Sequence, residues 1–176
     1  MSNRLIELEL FHLRLPFRRK FSHAAAQRHD TDTVVVAALL ADGTVGFGEG
    51  LPRSYVTGET IDSVFYNISD TLAARLGRVE PKSFPELLDL ADSLPFTNEQ
   101  NQIINTARCC VELALLDAYG RHFGCSLSSI AGWLGCGFLT GDPSIEKIRV
   151  SGVLDGAEPA QLAQQLRKMR WFGLRN

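Results

Sequence analysis

A long helical segment with a spine of small residues constrains this chain most. From about Glu99 to His122, Ile103, Ile104, Ala107, Val111, Ala114, Leu115 and Ala118 recur at the three- and four-residue spacing of one helix face. Small side chains dominate that stripe, so a neighbouring element can approach closely. Arg108–Glu112 and Asp117–Arg121 are spaced i,i+4 and support the helix. Gly124 is its expected stop.

What precedes it reads as a sheet. Residues 4–15 alternate, with Leu5, Glu7 and Glu9 on one parity and Ile6, Leu8 and Leu10 on the other, as a half-buried strand does. The same alternation makes the N-terminus a strand rather than a signal peptide. Pro16 is expected to end the strand because it lacks the ladder donor, and Phe17–Thr31 to follow as a polar, basic loop. Thr33–Leu40 is a β-branched run suited to burial on much of both faces. Asp42-Gly43 then supplies a hairpin turn, and Thr44–Leu51 pairs back. The first fifty residues thus predict a three-stranded antiparallel meander.

Helices are expected over Glu59–Leu76, with Thr57 as N-cap and Ile61, Val64, Phe65, Ile68, Leu72 and Leu76 as apolar stripe. Others are expected over Phe84–Leu94, with Pro85 in the first turn, and over Leu127–Trp133. After Asp142-Pro143 the pattern changes. Lys147–Leu154 reads as a strand and Pro159–Phe172 as a helix, one βα unit. The fold class is therefore α+β, a meander followed by a helical bundle over 1–142, with a separate unit over 143–176.

A net charge of −2 gives no reason to expect nucleic-acid binding, and no apolar run reaches the roughly 18 residues of a membrane span. Of the cysteines, Cys109, Cys110, Cys125 and Cys136, none has zinc-site spacing. Cys109 and Cys110 are expected as buried thiols, in keeping with a reducing, cytoplasmic setting. The glycines at 43, 46, 48 and 50 do not lie between a parallel strand and a helix, so they do not form a dinucleotide fingerprint. They are expected to allow close packing. Glu49, Glu59, Glu112 and Asp117 have no metal-site or paired-carboxylate spacing. No nucleophile elbow or activated cysteine is present. The basic segment with Arg14, Arg18, Arg19, Lys20, His23, Arg28 and His29 reads either as a rim for an anionic substrate or as a plain surface loop.

Several local words stand in one order: Leu15-Pro16-Phe17, Val34-Val35-Val36, Gly46-Phe47-Gly48-Glu49 with Pro52, and Tyr55-Val56-Thr57-Gly58-Glu59-Thr60. The longest is Ala107-Arg108-Cys109-Cys110-Val111-Glu112-Leu113-Ala114-Leu115-Leu116-Asp117-Ala118 with Gly120-Arg121, and Ser151-Gly152-Val153-Leu154 follows. Together they resemble the N-terminal capping domain of the mandelate racemase/muconate-lactonizing-enzyme group of the enolase superfamily, whose members are isomerases and lyases: racemases, dipeptide epimerases and muconate cycloisomerases. The resemblance implies a cap over a (β/α)₈ barrel, of which residues 143–176 would be the first βα unit. It implies that the full-length parent takes a proton from the carbon beside a carboxylate, using barrel lysines and Mg²⁺. It also implies that two cap loops, Phe17–His29 and Arg53–Thr57, select a small carboxylate substrate, with Phe21, His23, Arg28, Arg53 and Tyr55 as the substrate-facing candidates.

The lysine-x-lysine word expected just after Gly173 is absent, and the chain closes at Asn176. About 250 residues make such a barrel, so no catalytic lysine and no metal ligand is assigned here. No Mg²⁺ and no turnover are expected of this chain alone, and a homo-oligomer or a complementary barrel chain is the expected protein partner. The rival expectation is a non-catalytic α+β binding or dimerisation module.

Overall fold

The computed structural model describes residues 2–23, 26–77, 80–127, 130–133, 154 and 158–171, with backbone alone at 18–23, 26–29, 131 and 133. The chain divides into two compact units, Met1–Gly135 and Cys136–Asn176.

The first unit is α+β. Strands β1 (Leu5–His23), β2 (Ala26–Leu40) and β3 (Val45–Gly50) form an antiparallel sheet in that order, the meander expected from the alternation. Helices α1 (Ile61–Tyr66), α2 (Ala73–Leu76), α3 (Phe84–Ser93), α4 (Asn105–Phe123) and the short α5 (Ile130–Trp133) follow. Among the described residues of the second unit, α6 (Pro159–Trp171) has no buried side chain. The strand expected over Lys147–Leu154 lies outside the described residues except for Leu154. Among the described residues, no helix is long and apolar enough to cross a membrane.

The core lies between one sheet face and the helices. Val34, Val36, Ala38 and Leu40 alternate inward from β2 and are buried. Val64, Ile68, Leu72, Leu76, Val111, Ala114, Leu115 and Tyr119 complete the same cluster. The opposite sheet face carries Phe11, Leu13, Leu15 and Phe47, all exposed.

β3 packs closely on α4. Gly46, Gly48 and Gly50 share the inward face of the strand. A Cβ built on Gly48 would lie 2.0 Å from the Cys110 carbonyl oxygen, and one on Gly46 would lie 2.0 Å from the Ala118 amide nitrogen. The period-two glycine row therefore meets the period-four row Thr106, Cys110, Ala114 and Ala118. Two features seen separately in the sequence are the two halves of one contact. Asp117 reinforces it by accepting a hydrogen bond at 2.9 Å from the Phe47 amide on the outer edge of β3, while holding Arg121 at 3.0 Å.

The structure corrects five expectations. Pro16 does not end β1. It pairs with Asp30, the register shifts between Pro16 and Phe21, and pairing resumes at Phe21 with Arg28. The Phe17–Thr31 segment is thus mostly the end of a long hairpin rather than a loop. β1 is an edge strand, where proline removes no second ladder, and the irregularity absorbs it. An ion pair between Arg14 and Asp30 at 2.6 Å and a hydrogen bond between His12 Nε2 and Asp32 Oδ1 at 2.8 Å span the same two strands. Arg14 is therefore neutralised locally and leaves the basic rim.

The N-cap of α1 is Thr60, not Thr57. Thr60 Oγ1 accepts from the Ser63 amide at 3.2 Å and Ser63 Oγ from the Thr60 amide at 2.9 Å, a reciprocal capping box. The helix expected to run unbroken to Leu76 passes through a π-helical turn at Asn67–Leu72. The buried Asn67 at its start accepts from Asn98 Nδ2 at 3.1 Å.

The long helix starts at Asn105, six residues later than expected from Glu99. Asn98 Oδ1 takes the amides of Gln100 and Gln102, and Asn101 adopts a φ of 60°. Asparagine thus satisfies the local backbone in a turn, in competition with the helix. Ile103 is exposed and Ile104 buried, so only the second belongs to the core. The helix ends as expected, with Gly124 left-handed at φ 65°.

Finally, Cys110 is buried but Cys109 is exposed, because consecutive helical positions point about 100° apart. Burial pushes the Cys110 thiol up to about 12.

The Asp42-Gly43 turn is fastened to the end of α4. Gly43 takes φ 88°, and Asp42 Oδ1 accepts from the Thr44 amide at 2.9 Å. His122 Nδ1 lies 2.5 Å from Asp42 Oδ2. The Thr44 amide first, and His122 second, hold the Asp42 carboxyl down at about 2. Its folded value thus lies below the ordinary carboxylate value of about 3.9. The stability it contributes is complete above about pH 4 and lost as the pH falls towards about 2. Thermal melts over that interval should fall more steeply for the native chain than for Asp42→Asn. Parallel curves would show that the turn contributes nothing through this carboxylate.

Candidate functional site

The candidate site is the segment after β3 together with the neighbouring hairpin. Gly50 ends β3 against α4, and the chain turns out through Leu51, Pro52 and Arg53. The amides of Val56 and Thr57 both donate to the Arg53 carbonyl at 2.8 Å, closing a one-turn loop. Gly58, at φ 78°, reverses the chain back inward. At the crest, Tyr55 and Val56 are 48% and 71% exposed, which presents aromatic and apolar surface to solvent.

Of the sequence-predicted residues, Arg53 and Tyr55 are on this loop. Arg53 is half-buried, and its Nη2 donates to Thr31 Oγ1 at 3.0 Å, joining the loop to β2 of the long hairpin. The bond ties one of the segments expected to select substrate to the strand that leads into the other. Phe21, His23 and Arg28 lie farther out on that hairpin, with Phe21 paired to Arg28 and His23 to Ala26 in backbone register. Their side chains lie outside the described residues.

Three features escaped the sequence reading. The first is Glu59, which the sequence places at the start of the Glu59–Leu76 helix. Its carboxylate is buried and reaches across to α4, accepting from the Thr106 amide at 2.8 and 3.1 Å and from the Ala107 amide at 3.2 Å. A carboxylate suits the positive end of a helix, but the helix it serves is 47 residues away, and no local pattern reports that.

The second is the burial of Arg108, which was legible only as half of a surface pair with Glu112. The third is Glu49, which accepts from Thr33 Oγ1 at 2.8 Å across the sheet. With Glu112 on Arg108 and Asp117 on Arg121 and Phe47, each of the four sequence-singled carboxylates has a structural partner. Among the described residues, no three His, Cys, Asp or Glu side chains converge as a metal site. This donor set does not fit Mg²⁺, and no metal or proton-transfer step is assigned to it.

A family model described as "Mandelate racemase / muconate lactonizing enzyme, N-terminal domain" matches residues 5–132. The chain is 24% identical to an N-succinyl-L-Arg/Lys racemase of Bacillus cereus over 166 residues, which cover 94% of this chain and 41% of the racemase. It is 31% identical to an aromatic dipeptide epimerase of Herpetosiphon aurantiacus over 111 residues, covering 63% of this chain and 29% of the epimerase. It thus spans less than half the length of these relatives. Among solved structures, the dipeptide epimerase of Methylococcus capsulatus, complexed with Mg and the dipeptide L-Arg-D-Lys, superposes with a TM-score of 0.59. That match is at 24% identity and covers 73% of this chain and 35% of the epimerase, a likeness of fold. The meander, the glycine-lined β3–α4 contact and the 5–132 match place the chain in the mandelate racemase/muconate lactonizing enzyme family, as its N-terminal domain.

Proposed function

We propose that this chain is the substrate-selecting cap of an enolase-superfamily racemase or epimerase acting on a small carboxylate substrate of the dipeptide or acylated amino acid kind. The observation that carries this is the Arg53–Thr31 bond, which fastens the exposed loop around Tyr55 and Val56 to β2 of the long hairpin within a domain whose sequence relatives are named as racemases and epimerases. In this reading the cap binds, orients and shields the substrate. A guanidinium on this surface pairs with a second carboxylate on the substrate, and Tyr55 offers a flat apolar face.

The lysines, the Mg²⁺ ligands and the proton transfer belong to a barrel, of which 143–176 is the opening βα unit. The setting is cytoplasmic. A racemase or epimerase is favoured over a cycloisomerase by the names of the sequence relatives. A second reading, a dimerisation module, rests on the exposed sheet face with Phe11, Leu13, Leu15 and Phe47.

The test is a chimera. Residues 1–135 replace the corresponding cap of the Herpetosiphon aurantiacus epimerase, and kcat/KM is measured over a dipeptide panel. The expected result is retained epimerisation with a preference moved by about tenfold or more between dipeptides, the order a few polar contacts provide. An active chimera with the parent's preference unchanged would remove the selecting role.

A further inference from the structure

Both ends of the exposed loop 51–58 are held by one helical turn. At its start, the Gly50 backbone sits so close to α4 that an added Cβ would lie 2.3 Å from Cys110 Sγ and 3.0 Å from Thr106 Cγ2. At its end, the buried Glu59 carboxylate takes the Thr106 and Ala107 amides. Thr106 therefore touches both ends. Inside the loop the contacts form a chain. Glu59 N donates to Thr57 Oγ1 at 3.4 Å, Thr57 Oγ1 donates to the Arg53 carbonyl at 3.3 Å, and Arg53 Nη2 donates to Thr31 Oγ1.

α1 starts immediately afterwards with a complete cap of its own from Thr60 and Ser63. Glu59 is not needed there. Its carboxylate instead replaces water on the first orphan amides of a helix distant in sequence.

We propose that Glu59 is the positioning residue of loop 51–58, a latch through which the first turn of α4 sets where Arg53 and Tyr55 stand. The carboxylate is needed rather than mere bulk. Oε1 accepts from both the Thr106 and the Ala107 amide and Oε2 accepts from Thr106 as well, so the donor nitrogen of an amide side chain would face an N–H in place of one of these acceptors. The assignment of a substrate role to the loop rests on the proposed function above. The latch itself does not.

The experiment is backbone hydrogen exchange on the full 176-residue chain as native protein, Glu59→Gln, Glu59→Asp and Thr60→Ala. Glu59→Gln should speed exchange of the Val56 and Thr57 amides by about tenfold, while amides of Val111–Ala118 in α4 keep their protection. Glu59→Asp keeps the charge but withdraws it by one methylene, so it should give the same order of regions with a smaller change. Thr60→Ala, which removes a neighbouring cap of similar worth, should loosen α1 and leave 51–58 unchanged. Equal acceleration of the loop and the α4 core in both Glu59 variants would mean a general stability role and would overturn the latch, as would an unaltered loop.

In the chimera, Glu59→Gln is expected to raise KM for the preferred dipeptide by several-fold more than it lowers kcat. A loosened loop with an unchanged KM sustains the latch and removes the substrate role. An unloosened loop removes the latch whatever the kinetics show.

Discussion

Gly48→Val should lower the stability of the first unit by about 3–5 kcal/mol, the high end for overpacking. The reason is the kind of atom in the way. The new Cβ would lie 2.0 Å from the Cys110 carbonyl oxygen and 2.5 Å from the Ala114 amide nitrogen, and neither can rotate aside as a side chain can. Relief requires β3 to lift away from α4, opening the core between them. Domains of this size are stable by only about 5–15 kcal/mol, so the variant should lose a large share of its stability and unfold at a markedly lower denaturant concentration. Urea denaturation followed by far-UV circular dichroism measures this.

The neighbouring glycines rank the effect. Gly46 faces backbone at the same 2.0 Å and should resemble Gly48, whereas Gly50 chiefly faces the Cys110 thiol, a movable group. Gly43 has nothing within 4 Å and costs only the strain of its positive φ, about 1–2 kcal/mol on substitution by alanine. A Gly48→Ala variant as stable as the native chain would show that strand and helix are not in contact here.

Arg108→Ala should cost about 2–3 kcal/mol. Arg108 is 94% buried, and its guanidinium joins three things. Nη2 donates to the Ala91 carbonyl at 3.1 Å at the end of α3, Nε donates to Glu112 at 3.3 Å, and Cζ sits 3.7 Å from the Phe96 ring centroid. Truncation strips the Ala91 carbonyl of one of its two donors, the Leu94 amide at 3.3 Å remaining, and leaves Glu112 without its cation and Phe96 without its charge partner. The Glu112 part is small because that side chain is 36% exposed. Nη1 is buried without a protein partner, so the native arginine already carries a desolvation cost that offsets part of its benefit. Arg108→Lys should recover less than half of the loss, because an ammonium cannot reach the α3 carbonyl and Glu112 in the fork geometry of a guanidinium. Thermal unfolding of the three proteins decides this. Full recovery by lysine would reduce Arg108 to a point charge.

Much of the fold was legible because its signals are local or periodic. The β2 run, the Asp42-Gly43 turn, the small-residue spine of α4 and the Gly124 stop all emerged where expected. The errors arose where two local preferences compete. Pro16 is a strand breaker only if the strand is central, and nothing in Leu15-Pro16-Phe17 says that β1 is an edge. Asn98 and Asn101 compete with the helix that the hydrophobic spacing extends to Glu99. Thr57 and Thr60 are equally plausible caps until Ser63 is seen to reciprocate. At the site, Arg53 and Tyr55 were chosen from the family's order of words, and their loop is exposed and tied to the hairpin. The latch of Glu59 was not visible, since its partners, Thr106 and Ala107, are remote in sequence.

The amino-acid sequence by itself determined the class of fold and the order of its elements, because alternation, helical spacing and turn chemistry act within a few residues, and its local words in their order carried the resemblance to the family. Only the tertiary structure decided what the glycines of β3 are for, which helix Glu59 serves and whether Arg108 is surface or core. Each of these is a contact between segments brought together by packing, and its energy depends on distances that no local pattern encodes.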